Sequence, residues 1–177
     1  MALKFWLQAA RAPAQINIAL PLFLGQLLAC KLVCIHRWDF TLFLMLYGLT
    51  MQLYIIFWND WADRDADIRN PRPTIFSGGS RVLPDGLLAP RDLFIAGAGA
   101  AVAVLALGYI FTRYLDRPWT LLLFALGTFL LWAYSIPPLR LNYYFGGELL
   151  QALGVGLLLP HIGYYVQANT FADATYI

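Results

Sequence analysis

Charged side chains cut this chain into long apolar stretches. A bilayer core about 30 Å thick takes about 20 residues of helix without charge. Five intervals between charges reach that length: Ala12 to Cys30, Phe40 to Asn59, Leu93 to Thr112, Pro118 to Leu139 and Leu149 to Ala172. None alternates polar and apolar positions as a barrel strand does, and a helix satisfies every backbone amide within its own segment. The pattern predicts an all-α fold, a polytopic transmembrane helix bundle with five spans in a single membrane domain over residues 1–177. Lys4 and Arg11 precede the first apolar run as in a secretory signal. No small-x-small cleavage site follows a short core, so the amino terminus reads as a retained first helix.

Composition sharpens this picture. The chain is 60% apolar and only 12% charged, against about 25% charge in an ordinary soluble domain, which excludes a water-soluble enzyme. A net charge of +2, scattered between apolar runs, is no footprint for nucleic acid, which is not an expected partner. Cys30 and Cys34, inside an apolar stretch, offer neither a disulfide framework nor a second pair of metal ligands and read as helix-packing residues. Alternating the loops across the membrane puts eight Lys and Arg, from Lys4 to Arg140, on one side and four on the other. That bias predicts a cytoplasmic amino terminus and a long cytoplasmic loop over 59–92, in the cell (inner) membrane. The small residues Gly97 to Ala101 predict close helix packing in the third span.

The acidic residues are not scattered. Six of the ten fall between Asp60 and Asp92, and Asp60, Asp63, Asp65 and Asp67 lie within eight positions. If the second span continues as helix, Asn59, Asp63 and Asp67 recur at intervals of four, with Asp60 three before Asp63, and share one face. Two carboxylates about 4 Å apart repel by about 4 kcal/mol at an effective dielectric near 20, so such a face calls for a cation. Oxygen donors of this kind suit Mg²⁺ or Ca²⁺, and a partial set with open positions suits Mg²⁺ shared with substrate phosphates. Arg69, Arg72 and Arg81 follow closely enough to hold phosphate oxygens. Ser77-Gly78-Gly79-Ser80 between them is a turn, either a plain surface turn or one whose amides approach an anion. The competing reading is a solvated helix end balanced by Arg64, Arg69 and Arg72.

Asn59-Asp60-x-x-Asp63-x-x-x-Asp67 resembles the first aspartate-rich motif of the UbiA-type intramembrane prenyltransferases, and Tyr134-Ser135-x-Pro137-Pro138-x-Arg140 resembles a segment after their fourth helix. The run from Phe76 to Pro90 is most similar to the menaquinone-pathway branch. The resemblance implies Mg²⁺-dependent transfer of an isoprenoid chain from a prenyl diphosphate to an aromatic quinone-precursor acceptor in the membrane. It implies Asn59, Asp60, Asp63 and Asp67 as metal ligands and Arg72 and Arg81 as diphosphate contacts, with Tyr134 and Arg140 also at the site. Aromatic rings near the motifs, foremost Tyr54 and Tyr134, would stabilise the cation-like carbon left as the diphosphate departs. The family has about nine helices and a second aspartate-rich motif, so the chain is expected to match an amino-terminal half.

Other residues are less specific. Glu148 at the start of the fifth span is either a site residue or a carboxylate favoured by the helix dipole. His161 reads as an interhelical hydrogen-bonding residue, and Pro137-Pro138 as the end of the fourth helix. A CDP-alcohol phosphotransferase needs glycine where Arg64 follows Asp63. A membrane scaffold or transport fragment with a metal-binding loop accounts for the spans but not for the spacing of the aspartates.

Overall fold

The computed structural model describes residues 2–70, 72, 79–144 and 146–172, and these form a helical bundle. A short amphipathic helix α1 (Ala2–Ala9) leads through a 3₁₀ turn (Ala12–Gln15) into α2 (Ile16–Val33). Then come α3 (Trp38–Arg69), α4 (Pro90–Tyr114), α5 (Thr120–Ser135) and α6 (Gly147–Ala168), the last carrying a π-helical stretch at Ala152–Leu158. Four of these segments are long and apolar enough to cross a membrane: Ala12–Val33, α3, α4 and α6. The expected span from Pro118 to Leu139 is shorter than the sequence suggests. The chain first turns at Asp116 in the left-handed region, and α5 stops before Pro137 after 16 residues, about 24 Å of helix.

The amino terminus also differs from a single first helix. Arg11 adopts a left-handed conformation at φ 43° and Pro13 follows, which separates α1 from α2. Trp6 of α1 meets Phe57 edge-on at 5.8 Å and Ala9 is fully buried, so the short helix is seated on the acidic end of the bundle. Cys30 and Cys34 are both free and exposed rather than packed between helices: Cys34 ends α2 in the left-handed region.

Helix α3 has 32 residues, about 48 Å at 1.5 Å per residue, so it outruns the roughly 30 Å hydrocarbon layer and carries its charged last turns beyond it. Its apolar part runs through the core. Tyr47 stacks on Phe124 of α5 at 3.7 Å, and Phe111 of α4 bridges Phe40 and Phe124. Outward positions such as Leu42, Leu46, Val102, Leu122 and Phe129 are exposed apolar side chains, as a lipid-facing surface requires. Helices α2 and α6 touch almost backbone to backbone. A Cβ on Gly25 would run into the Pro160 carbonyl, and one on Gly163 into that of Leu22. Gly97 in α4 likewise makes room for the Trp58 indole, which fulfils the packing role expected of that small-residue run.

The end of the bundle away from the aspartates is held by buried polar groups. Thr41 Oγ1 donates to Gln26 Oε1 at 2.7 Å, and Gln167 Nε2 donates to Gln26 Oε1 and to the Arg37 carbonyl, each at 3.1 Å. Gln167 Oε1 accepts the Arg37 amide at 2.8 Å. Arg117 lies over the Phe40 ring and donates from Nε to the Val166 carbonyl at 2.6 Å. Replacing Gln167 by Leu takes the acceptor from the Arg37 amide and the amide donor from Gln26 Oε1, while the Arg37 carbonyl keeps its bond from the Thr41 amide. The expected loss is about 1–2 kcal/mol, read as a lower thermal unfolding midpoint in lipid or detergent with ligand binding at the opposite end unchanged.

Candidate metal and diphosphate site

The site is built on the last turns of α3. Because the helix continues unbroken to Arg69, Asn59, Asp60, Asp63 and Asp67 do share one face, and the loop expected over 59–92 is helical as far as Arg69. Asp65 points away, exposed and paired with Arg64 at 3.4 Å. Each residue of the face then meets a different partner.

Asp60 is buried, 6% exposed, and its Oδ2 accepts the Ser80 backbone amide at 3.0 Å. That hydrogen bond folds the loop back over the helix. Gly79 sits between two carboxylates: a Cβ there would overlap Asp67 Oδ2 and stand 3.1 Å from Asp60 Oδ1. Gly79 also has φ +66°, a conformation that L side chains rarely tolerate. Asp60 and Asp67 therefore both crowd the α-carbon of Gly79, a close approach that is possible because residue 79 has no side chain. The fields of Asp60 and Asp63 both reach Asp67, offset in part by Arg81 and Arg11. Arg81 donates from Nη1 to the Asp67 carbonyl at 2.7 Å and from Nη2 to Asp85 at 2.9 Å.

Asp63 faces the segment after α5. Tyr143 donates its hydroxyl to Asp63 Oδ1 at 2.8 Å, and Arg140 Nη2 lies 3.7 Å from the same oxygen while donating to the Ala62 carbonyl at 2.9 Å. The guanidinium lies 4.4 Å from the Tyr143 ring centroid. Partial burial, and then the bond to Asp63, push the Tyr143 phenol pKa up, so Tyr143 remains a proton donor to the carboxylate at neutral pH. Asn59 Oδ1 accepts a short hydrogen bond from Ser135 Oγ. Tyr134 and Asn59 both border a cavity of about 210 Å³ that runs inward along α3 as far as Tyr47.

The sequence-stated residues thus divide. Asn59, Asp60, Asp63, Asp67, Arg81, Tyr134 and Arg140 gather at this end of the bundle. Arg72 is exposed, with its backbone amide donating to Asn70 Oδ1 at 3.0 Å. Ser77 and Gly78 of the turn, with Phe76, lie outside the described residues. The Ser80 amide of that turn is taken by Asp60. Tyr54 is a core residue, fully buried with its hydroxyl on the Thr128 carbonyl at 3.0 Å. Glu148 is exposed in the first turn of α6, and His161 Nδ1 lies 2.7 Å from the Leu157 carbonyl of its own helix. Tyr143 and Gln8, which donates to the Ser80 carbonyl at 2.8 Å, are site residues that no sequence pattern pointed to, and Ser135, part of the second motif, meets Asn59.

Among the described residues no three His, Cys, Asp or Glu side chains form a ready-made metal cluster. The donor set nonetheless fits Mg²⁺, which takes one or two protein carboxylates and completes its octahedron with waters and substrate phosphates. Asp60 and Asp67 supply two hard oxygen donors beside Gly79, with Asp63 on the same face.

No solved structure matches the chain significantly. A curated relative, the 2-carboxy-1,4-naphthoquinone phytyltransferase of Synechocystis sp., is 30% identical over 173 residues, which are 96% of this chain and 53% of the relative. The chain thus spans about half the length of the curated relative it matches. The model of the UbiA prenyltransferase family matches residues 18–177, a range that takes in the aspartate face, its loop and the Arg140 segment, and the chain belongs to that family.

Proposed function

We propose that this chain supplies the metal- and diphosphate-binding part of a membrane enzyme that transfers an isoprenoid chain from a prenyl diphosphate to an aromatic quinone-precursor acceptor. In this reading Asn59, Asp60, Asp63 and Asp67 hold Mg²⁺ against the diphosphate. Arg81, Arg72 and Arg140 supply positive charge to its oxygens, and Tyr134 lines the reacting region. Bound Mg²⁺ would neutralise the charge that builds on the leaving diphosphate as the allylic carbon–oxygen bond breaks. The acidic end lies at the cytoplasmic face of the cell membrane. A lipid substrate then keeps its tail in hydrocarbon while its diphosphate meets the protein at the boundary. The naphthoquinone acceptor and phytyl donor in the relative's name make a fused-ring acceptor and a long isoprenoid donor the first substrates to try.

The observation that carries this reading is the convergence of Asp60 and Asp67 over Gly79, two repelling carboxylates held together where a cation would relieve them. The test is titration of geranylgeranyl diphosphate into the intact protein in nanodiscs, with Mg²⁺ and with EDTA. Tight binding only with Mg²⁺ is expected. Asp65→Asn, off the face, should leave it unchanged. Arg81→Gln should weaken it about tenfold, the worth of one charge-assisted contact. Binding that ignores both Mg²⁺ and the aspartate face would refute the assignment.

A further inference from the structure

Asp60 is held in place by a chain of contacts that starts outside the aspartate motif. Its Oδ2 accepts the Ser80 backbone amide at 3.0 Å, and its Oδ1 lies with Asp67 Oδ2 beside Gly79. The Ser80 amide therefore decides which carboxylate oxygen turns toward Asp67. Local backbone preference does not keep Ser80 there. Gly79 and Arg81 on either side of it are left-handed, at φ +66° and φ +68°, a conformation that an arginine seldom adopts unaided. The other end of residue 80 is anchored instead. Gln8 Nε2 of α1 donates to the Ser80 carbonyl at 2.8 Å across 72 residues of sequence, and among the described residues no other hydrogen bond reaches that carbonyl. Ser80 is buried, so loss of the donor leaves its carbonyl unmet.

Helix α1 is seated where it can deliver this bond. Ala9 belongs to an apolar cluster with Phe57 of α3 and with Val82, two residues past Ser80, and Trp6 packs against that cluster. The same short helix thus grips the loop twice, by apolar contact at Val82 and by the Gln8 amide at Ser80. Trp6, Gln8 and Ala9 all lie ahead of residue 18, where the match to the family begins.

We infer that α1 is a strap over the loop and that Gln8 is a positioning residue for the metal site, acting through the Ser80 backbone on Asp60. The inference rests on the prenyl-transfer reading above and adds the element that aims one of its carboxylates. Gln8 touches neither metal nor substrate in this reading; it fixes the amide that orients a ligand oxygen.

The test measures the Mg²⁺ concentration needed for half-maximal binding of geranylgeranyl diphosphate to the intact protein in nanodiscs, beside amide hydrogen exchange without ligand. Gln8→Met, close in shape but without an N–H, is expected to raise the Mg²⁺ requirement about three- to fivefold, the effect of one hydrogen bond. It should also speed exchange in residues 79–88 while the Gln26 and Gln167 end exchanges as in wild type. Excess Mg²⁺ should restore wild-type diphosphate affinity. A merely structural role does not give that split, because a partly unfolded population lowers the number of sites and not the Mg²⁺ that each one needs. Gln8→Glu, which puts an acceptor where the donor was, should do as much or more. Trp6→Ala keeps Gln8 but removes its seat on Phe57 and should reproduce the shift, whereas Lys4→Gln, exposed on the same helix, should behave as wild type. An unchanged Mg²⁺ requirement in both Gln8 variants overturns the inference. Fewer binding sites with an unchanged Mg²⁺ requirement overturns it too and makes α1 a fastening of the fold alone. If wild-type protein binds the diphosphate without any dependence on Mg²⁺, the prenyl-transfer reading fails and takes this inference with it.

Discussion

Asp67→Asn is expected to weaken Mg²⁺-dependent binding of a prenyl diphosphate by about two to three orders of magnitude while leaving the fold intact or firmer. Two opposing terms give this result. Two opposite unit charges about 4 Å apart attract by about 4 kcal/mol at an effective dielectric near 20; losing one carboxylate charge while the asparagine oxygen stays in place forfeits attraction of that order, and every 1.4 kcal/mol is tenfold in affinity. Without the cation, Asp67 sits in the repulsive fields of Asp60 and Asp63, so neutralising it relieves strain. Differential scanning fluorimetry separates the terms. Mg²⁺ with geranylgeranyl diphosphate should raise the wild-type midpoint, because a ligand that binds only the folded state stabilises it by mass action. The Asp67→Asn midpoint should match or exceed that of ligand-free wild type and not respond to the ligands. Asp60→Asn should behave differently, losing both the response and some basal stability, because Asp60 also holds the Ser80 amide. A full Mg²⁺ response in Asp67→Asn would remove that residue from the metal site.

The spans were legible because the energetics behind them are large and one-dimensional: a charge in hydrocarbon is costly at any point of the sequence, so gaps between charges mark helices. Length was less legible, since it depends on terminators. Pro137 and the turn at Asp116 shorten α5, and Arg11 with Pro13 detaches α1. The cysteines were misread because apolar context does not distinguish a lipid-facing surface from a helix interface, and Cys30 and Cys34 are exposed.

The candidate site was legible to the extent that it is helical. Spacing by four puts Asn59, Asp63 and Asp67 on one face whatever surrounds them. What each carboxylate meets is a tertiary matter, set by how α5 and the loop fold back. Tyr143 and Arg140 reach Asp63 across more than seventy residues, Ser135 reaches Asn59 likewise, and Ser80 reaches Asp60 from the loop. Arg140, placed at the site by the second motif, stands in the structure against Asp63 and the Ala62 carbonyl. It braces the carboxylate, and its charge stays at the site.

Gly79→Ala carries the second large effect, and Gly86→Ala is its internal control. Both glycines have nearly the same backbone, φ +66° and φ +67°, so both substitutions incur the same left-handed penalty, about 1–2 kcal/mol. They differ only in what the new methyl meets. Around Gly86 there is nothing within 4 Å, whereas at Gly79 the methyl falls on Asp67 Oδ2 and crowds Asp60 Oδ1. The Gly86 variant should therefore lose stability alone, with Mg²⁺-dependent diphosphate binding equal to wild type. The Gly79 variant should lose as much stability or more and, in addition, about a hundredfold in binding. Its methyl forces apart two carboxylates that must face one cation, and removing either donor's geometry costs affinity on the scale of a lost ligand contact. Titrating geranylgeranyl diphosphate with Mg²⁺ into each variant, beside its thermal midpoint, isolates the steric part as the difference between the two. Equal binding by both variants would mean that the close approach of Asp60 and Asp67 to Gly79 is a backbone accommodation and not part of a metal site.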